Sequence, residues 1–179
     1  MSNEAIETLI SAGEISKRVK ELAAEITRDY AGKTVTLLCT LKGAMIFIAD
    51  LSREIRLDLR LEFIKVSSYG NASESSGKIK LEYPEKLDLE GKDVIIVEDI
   101  VDMGYTASWL KNYLQGFNPA SLKLCALLDK PERREVKDVT IEYLGFTIPD
   151  EFVVGYGLDY AQKYRCLPYL GKLVLKRIQ

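Results

Sequence analysis

The chain has 179 residues, 47% of them hydrophobic, with 25 basic and 27 acidic side chains and no histidine. That length suits a single domain over residues 1–179 with a core that needs no disulfide staples. Balanced charge gives no footprint for nucleic acid or a membrane surface, and no partner of either kind is expected. The missing imidazole excludes histidine metal ligands, histidine-based triads and histidine proton shuttles, so any proton transfer falls to Asp, Glu, Lys or Tyr. Cys39, Cys125 and Cys166 are far apart, and the first two lie in apolar runs, as small buried hydrophobes would in a reducing compartment. The first residues carry Glu4 and Glu7 rather than a basic region, and no apolar run reaches membrane length. A cytoplasmic location with small-molecule partners is the expectation.

From Glu14 to Tyr30, Ile15, Val19, Leu22, Ala23 and Ile26 recur at helical spacing. Ser11 and Glu14 are spaced as a capping box, and Gly32 follows as a stop. Thr34–Leu41 is a continuous apolar, β-branched run, the pattern of a strand buried on both faces. It leads into Lys42 and Gly43 and then an apolar helix, Ala44–Leu51. In a parallel α/β sheet such turns gather at the carboxyl edge where ligands bind, which makes Lys42 a candidate for an anionic group.

Leu61–Ser67 and Ile79–Tyr83 read as strands separated by a polar stretch rich in glycine and serine. It is too long for a tight hairpin, and composition leaves both a lid and an inert tip open.

Val94–Val97 is a second buried strand, with Glu98 and Asp99 where it is expected to stop. Asp102, Gly104 and Thr106 follow before Ala107–Leu110 opens a helix. A turn of this kind aims free backbone N–H groups, the Thr106 hydroxyl and the positive end of a helix dipole at one point, a setting for phosphate. Three carboxylates beside bare phosphate would repel it. Ribose hydroxyls, which need acceptors, or a divalent metal bridging the anions would relieve that repulsion, and a phosphorylated sugar carries both needs.

Ser121–Leu128 is a further buried strand ending in Asp129, Lys130 and Pro131, with Arg133 and Arg134 in a charged run read as solvated. The segment FVVGYGLDY, Phe152–Tyr160, and Arg165 come next, and Gly171–Leu175 reads as a final short strand. Alternating strands and helices predict an α/β fold, a mainly parallel twisted sheet flanked by helices.

The strand, the acid pair, the third acid and the G-x-T turn resemble the phosphoribosyl-pyrophosphate (PRPP) motif of the type I phosphoribosyltransferases. Leu41-Lys42-Gly43 is similar to the pyrophosphate loop of the hypoxanthine-guanine phosphoribosyltransferases within that family. Four such motifs stand in the family's order between Leu41 and about Arg165. The resemblance implies Mg²⁺-dependent transfer of the 5-phosphoribosyl group from PRPP to N9 of hypoxanthine or guanine. The products would be the purine nucleotide, IMP or GMP, and pyrophosphate, a purine-salvage reaction.

The resemblance also implies roles. Asp102 would be the proton-transfer group, needing partial burial and acidic neighbours to work near neutrality. Glu98, Asp99, Met103, Gly104, Tyr105 and Thr106 would hold the 5′-phosphate and ribose. Met103 stands where the family usually has Ser or Thr. Leu41, Lys42, Gly43 and Arg165 would meet pyrophosphate, with a cis peptide at Leu41–Lys42, and Arg134 matches a family arginine near that group. Ser68 and Tyr69 would begin a mobile lid at about 68–78. Lys130, Phe152 and Val153 would bind the 6-oxopurine: a lysine has donors only, so it selects an oxo over an amino group. Glu98, Asp99 and Asp159 would serve the metal. A small hood built from the terminal segments would cover the base site, and a homodimer or homotetramer is implied. The alternative reading is a non-catalytic PRPP-binding regulatory protein on the same fold.

Overall fold

The computed structural model describes residues 4–69, 78–83 and 87–175. In chain order the elements are β1 (Glu4–Ile10), α1 (Ala12–Asp29), β2 (Thr34–Leu41), α2 (Met45–Glu54), β3 (Asp58–Tyr69) and β4 (Lys78–Tyr83). They continue as β5 (Asp93–Val101), α3 (Tyr105–Gln115), β6 (Ser121–Asp129), β7 (Tyr143–Thr147), β8 (Val153–Val154) and β9 (Leu170–Leu175). Six strands form one sheet in the order β4-β3-β2-β5-β6-β7, all parallel except the antiparallel edge strand β4.

The strands expected to be buried on both faces are so. Val35, Leu37 and Cys39 of β2, Ile95 and Val97 of β5, and Cys125 and Leu127 of β6 pack with α1 and α2. The alternate residues Leu38, Val94, Ile96, Leu124 and Ala126 pack with Ala107, Leu110 and Leu114 of α3. This is the period-two alternation of a pleated strand applied to a run that is apolar throughout. Burial pushes the Cys39 thiol up to about 12 and raises that of Cys125 as well, so both act as packing groups. The α1 capping box forms as its spacing predicts: Ser11 Oγ accepts from Glu14 N, and Glu14 Oε2 accepts from Ser11 N at 2.9 Å.

From β2 the chain moves outward to β3 and β4, then returns to the opposite side of β2 with β5. The connections after β2 and β5 therefore diverge to opposite sides and leave a crevice at their carboxyl ends. The Cys39–Val97 pairing puts Leu41 and Asp99 at that edge, two residues further along.

Two details differ from the sequence reading. Strand β5 does not stop at Glu98; it runs to Val101, because Ile100 and Val101 continue the parallel pairing with Leu128 and Asp129 of β6. Both acids are thus held by a strand ladder rather than by a loop. Strands β1, β7 and β8 were not anticipated. β1 is charged and only half buried, β7 is five residues with a glycine, and β8 has two. β1 and β8 pair with β9 in a separate three-stranded sheet.

The stretch read as a lid or a tip joins two antiparallel strands, with Tyr69 paired to Lys78. Ser68 and Tyr69 are the last residues of β3, and the lid itself lies outside the described residues.

Candidate active site

Between β5 and α3 the chain makes the turn that the sequence predicts. Gly104 stands at the N-cap of α3 with φ 92°, a conformation that costs glycine little, and no side chain caps the helix. The first backbone bond of α3 is Ser108 N to Gly104 O, and the N–H groups of Tyr105, Thr106 and Ala107 have no partner among the described residues, which leaves them open to an anion. The turn is held from outside. Met103 O accepts from both Glu135 N and Val136 N at 3.1 Å, and the Tyr105 hydroxyl donates to Glu135 Oε2 at 2.6 Å. Met103 itself is 38% exposed and supplies backbone rather than a polar side chain.

This turn, the Leu41–Gly43 loop and the acids share one cavity of about 430 Å³. Glu98, Asp99, Asp102, Met103, Gly104, Tyr105 and Thr106 line it, together with Leu41, Lys42, Gly43, Asp159 and Arg165. The Leu41–Lys42 peptide is cis, as expected. Lys42 is exposed and has no ion pair among the described residues, so its ammonium is free for a ligand. Arg165 bonds Asp159 Oδ1 at 2.6 Å and donates to Gly157 O at 2.6 Å.

Glu98 is 5% exposed, with Oε2 2.6 Å from Thr40 Oγ1 and Oε1 without a partner among the described residues. Thr40 Oγ1 is also 3.1 Å from Val97 O, which can only accept. The hydroxyl has one proton for two oxygens, and a proton on Glu98 Oε2 satisfies both contacts. Burial, and next the charge of Asp99, push the Glu98 carboxyl up to about 8. Burial also raises Asp99, whose Oδ1 accepts from Ile100 N at 3.0 Å. Its Oδ2 lies directly over the Gly43 Cα: a Cβ there would be 1.6 Å away.

Asp102 departs from the expected setting. Its nearest charged partner is a cation, Arg133, with Nε 3.0 Å from Oδ1 but without hydrogen-bond alignment. Of the three acids only Glu98 is buried, and Asp99 is partly exposed. Asp102 is 37% exposed, which leaves its second oxygen accessible.

Lys130, Phe152 and Val153 lie outside this cavity. Lys130 is 6% exposed, and its ammonium is 3.6 Å from Asp150 Oδ1. Phe152 is 54% exposed and meets Tyr160 edge to face, whereas Val153 is buried in β8. Arg133 connects the two regions, with Nη1 3.4 Å from Asp150 and Nε beside Asp102.

Arg134 corrects the sequence reading. It is neither freely solvated nor in the cavity: it pairs with Asp129 and donates to Asp102 O and Val139 O at 3.3 Å, behind the Gly104 turn. A Cβ on Gly104 would come within 2.8 Å of its Cδ.

The sequence profile of the phosphoribosyl transferase domain matches residues 6–161. The chain belongs to the phosphoribosyl transferase family. Among its relatives in that family, the hypoxanthine phosphoribosyltransferase of Salmonella typhimurium is 48% identical over 95% of this chain and 96% of its own. The hypoxanthine-guanine phosphoribosyltransferase of Bacillus subtilis is 45% identical over 97% and 96%. A crystal structure of a hypoxanthine-guanine phosphoribosyltransferase from Bacillus anthracis superposes with a TM-score of 0.89 at 48% identity, covering 96% of this chain and 99% of that one.

In this phosphoribosyl transferase the buried carboxyl of Glu98 has a measurable consequence. Its pKa is raised from the usual 4.5 to about 8. The folded chain therefore keeps a proton that the unfolded chain releases, and its contribution to stability is full below about pH 4.5 and lost as pH rises through about 8. In denaturant melts without divalent cations, Glu98→Gln is expected to gain on the wild type by a few kcal/mol across that window, to order of magnitude. Parallel pH profiles for the two proteins would contradict the assignment.

Proposed function

We propose that the chain transfers the 5-phosphoribosyl group of PRPP to N9 of hypoxanthine or guanine, yielding IMP or GMP and pyrophosphate. The observation that carries this is the convergence of three carboxylates, an uncapped helix N-terminus and the Lys42–Gly43 loop on one cavity. The free N–H groups of Tyr105, Thr106 and Ala107 bind the 5′-phosphate, so Met103 in place of a hydroxyl residue costs one donor and not the cradle. Glu98 and Asp99 accept from the ribose hydroxyls.

As the bond from C1′ to the diphosphate oxygen breaks and the bond to N9 forms, positive charge grows on the ribose ring. The leaving group carries the negative charge. Lys42 and Arg165 neutralise the diphosphate, and the accessible oxygen of Asp102 takes the proton that the purine releases. Lys130, with donors only, binds O6 of the base while Phe152 offers a face for stacking, worth ~1–3 kcal/mol. The β1-β9-β8 sheet would form the hood over that base site. Lys130→Ala should raise KM for hypoxanthine tenfold or more while leaving KM for PRPP within about twofold. Initial rates with each substrate varied in turn decide it.

Mg²⁺ belongs to the same proposal. No cluster of three or more protein ligands is present among the described residues, which suits an ion that keeps its waters and binds through one or two carboxylates plus substrate oxygens. The unpartnered Glu98 Oε1, Asp99 and Asp159 line the same cavity, and one or two of these carboxylates would hold it together with substrate oxygens. When bound it supplies charge neutralisation to the diphosphate.

Incubating the protein with PRPP, Mg²⁺ and each purine in turn, with pyrophosphate release as the readout, tests the whole assignment. Turnover of a 6-oxopurine and not of adenine is expected, and chelating the metal should abolish it. No observation favours the regulatory reading, which PRPP binding without turnover would support instead. A cytoplasmic enzyme accords with three free cysteines and with no helix, among the described residues, long and apolar enough to cross a membrane. Assembly as a homodimer or homotetramer would cover the exposed Met45 and Leu61, and light scattering measures it directly.

A further inference from the structure

Gly155, Tyr156 and Gly157, from the segment Phe152–Tyr160, have φ of 100°, 45° and 106°. Glycine accepts such values readily, but a bulky aromatic between two glycines does not, so something outside the backbone must fix Tyr156 there. Its side chain is 5% exposed, and its hydroxyl donates to Asp50 Oδ2 at 2.6 Å, across 106 residues of sequence. Burial and that carboxylate raise the phenol well above its usual value, so it stays a donor. Asp50 is held in turn by Arg53 one turn further along α2.

The bond closes a ring around the diphosphate side of the cavity. Helix α2 follows directly from the Leu41–Gly43 loop. The next residue after Tyr156 is Gly157, packed so closely on the loop that a Cβ would stand 2.0 Å from Gly43 O. Gly157 is also tied to Arg165 in both directions, N to Arg165 O at 2.9 Å and O from Arg165 Nη1 at 2.6 Å. The ring therefore runs from the loop through α2 to Asp50, across to Tyr156, and through Gly157 back to Gly43, with Arg165 attached.

We propose that the Asp50–Tyr156 pair is a positioning clamp that sets the spacing between the Lys42–Gly43 loop and Arg165, and so tunes affinity for the diphosphate of the sugar substrate. The proposal rests on the transferase reading for the identity of that ligand. Neither residue touches the cavity that holds the reacting groups; both lie on its far side, against a separate cavity of about 530 Å³ between α1 and α2.

Tyr156→Phe is the clean probe, because Asp50 is 35% exposed and keeps Arg53 and water when the hydroxyl is gone. Steady-state kinetics of Tyr156→Phe should show KM for PRPP raised fivefold to twentyfold, KM for hypoxanthine within twofold, and a melting temperature close to wild type. Asp50→Asn keeps an acceptor for the phenol and should restore most of the affinity, whereas Asp50→Ala should behave like Tyr156→Phe. Equal changes in both KM values, or none in that for PRPP, would overturn the clamp. Should the wild type turn over no purine, the transferase reading fails by itself. Calorimetric titration with PRPP then still decides the clamp: affinity must fall in Tyr156→Phe, and equal affinity refutes it.

Discussion

Replacing Asp102 with alanine is expected to lower kcat by roughly two to four orders of magnitude, the usual worth of a positioned proton acceptor. Binding of PRPP should survive within a few-fold. The proposed phosphate cradle is made of backbone N–H groups in a turn braced through Met103 O, so removing a side chain one residue earlier leaves it intact. The lost partner of Arg133 is a half-exposed pair whose removal is screened by solvent, so stability should change little. Pre-steady-state rates for chemistry, together with calorimetry for the sugar diphosphate, separate the two quantities. Asp102→Asn, which keeps size and polarity but not basicity, should be impaired almost as much. Turnover unaltered in either variant would remove Asp102 from its role.

Gly43→Ala is the second large effect expected, and it comes from space rather than charge. The added methyl would fall 1.6 Å from Asp99 Oδ2 and 2.5 Å from its Cγ, so the carboxylate must swing away. Asp99 is a short side chain of β5 that lines the cavity, and its rotation gives up the Ile100 N–H contact but leaves the hydrophobic core in place. The variant should therefore fold, melt within about 1–3 kcal/mol of wild type, and lose at least a hundredfold in kcat/KM for PRPP. The double variant Gly43→Ala/Asp99→Ala removes the collision. It should regain the stability and none of the activity, a non-additivity that a double-mutant cycle measures. Wild-type kinetics in Gly43→Ala would show that Asp99 is not needed where it stands.

Much of the sheet could be read from residue types alone. Thr34–Leu41 carries no charge and Ser121–Asp129 contains the unbroken apolar stretch Leu124–Leu128, a pattern expected of strands covered on both faces. The Gly104 turn was legible because a glycine, a threonine and a helix start leave few other arrangements. What escaped was whatever depends on partners distant in sequence. Arg134 looks like part of a charged surface run until Asp129 and Asp102 O fold over it. Asp102 was expected among acids because Glu98 and Asp99 precede it, yet the nearest charge comes from Arg133, 31 positions later. The end of β5 was misplaced because a ladder continues as long as its neighbour offers partners, and that neighbour lies in another part of the chain.

The second sheet joins Glu4 to Leu175 and Thr8 to Gly171, so its two longer strands come from opposite ends of the sequence. On a translating ribosome, β1 must wait until nearly everything else has been made. The Leu41–Gly43 loop and the Gly104 turn, by contrast, grow from β2 and β5, which emerge much earlier, and the turn is braced by Glu135 and Val136. The strands and braces of the Gly104 turn can thus assemble before β9 emerges to pair with β1.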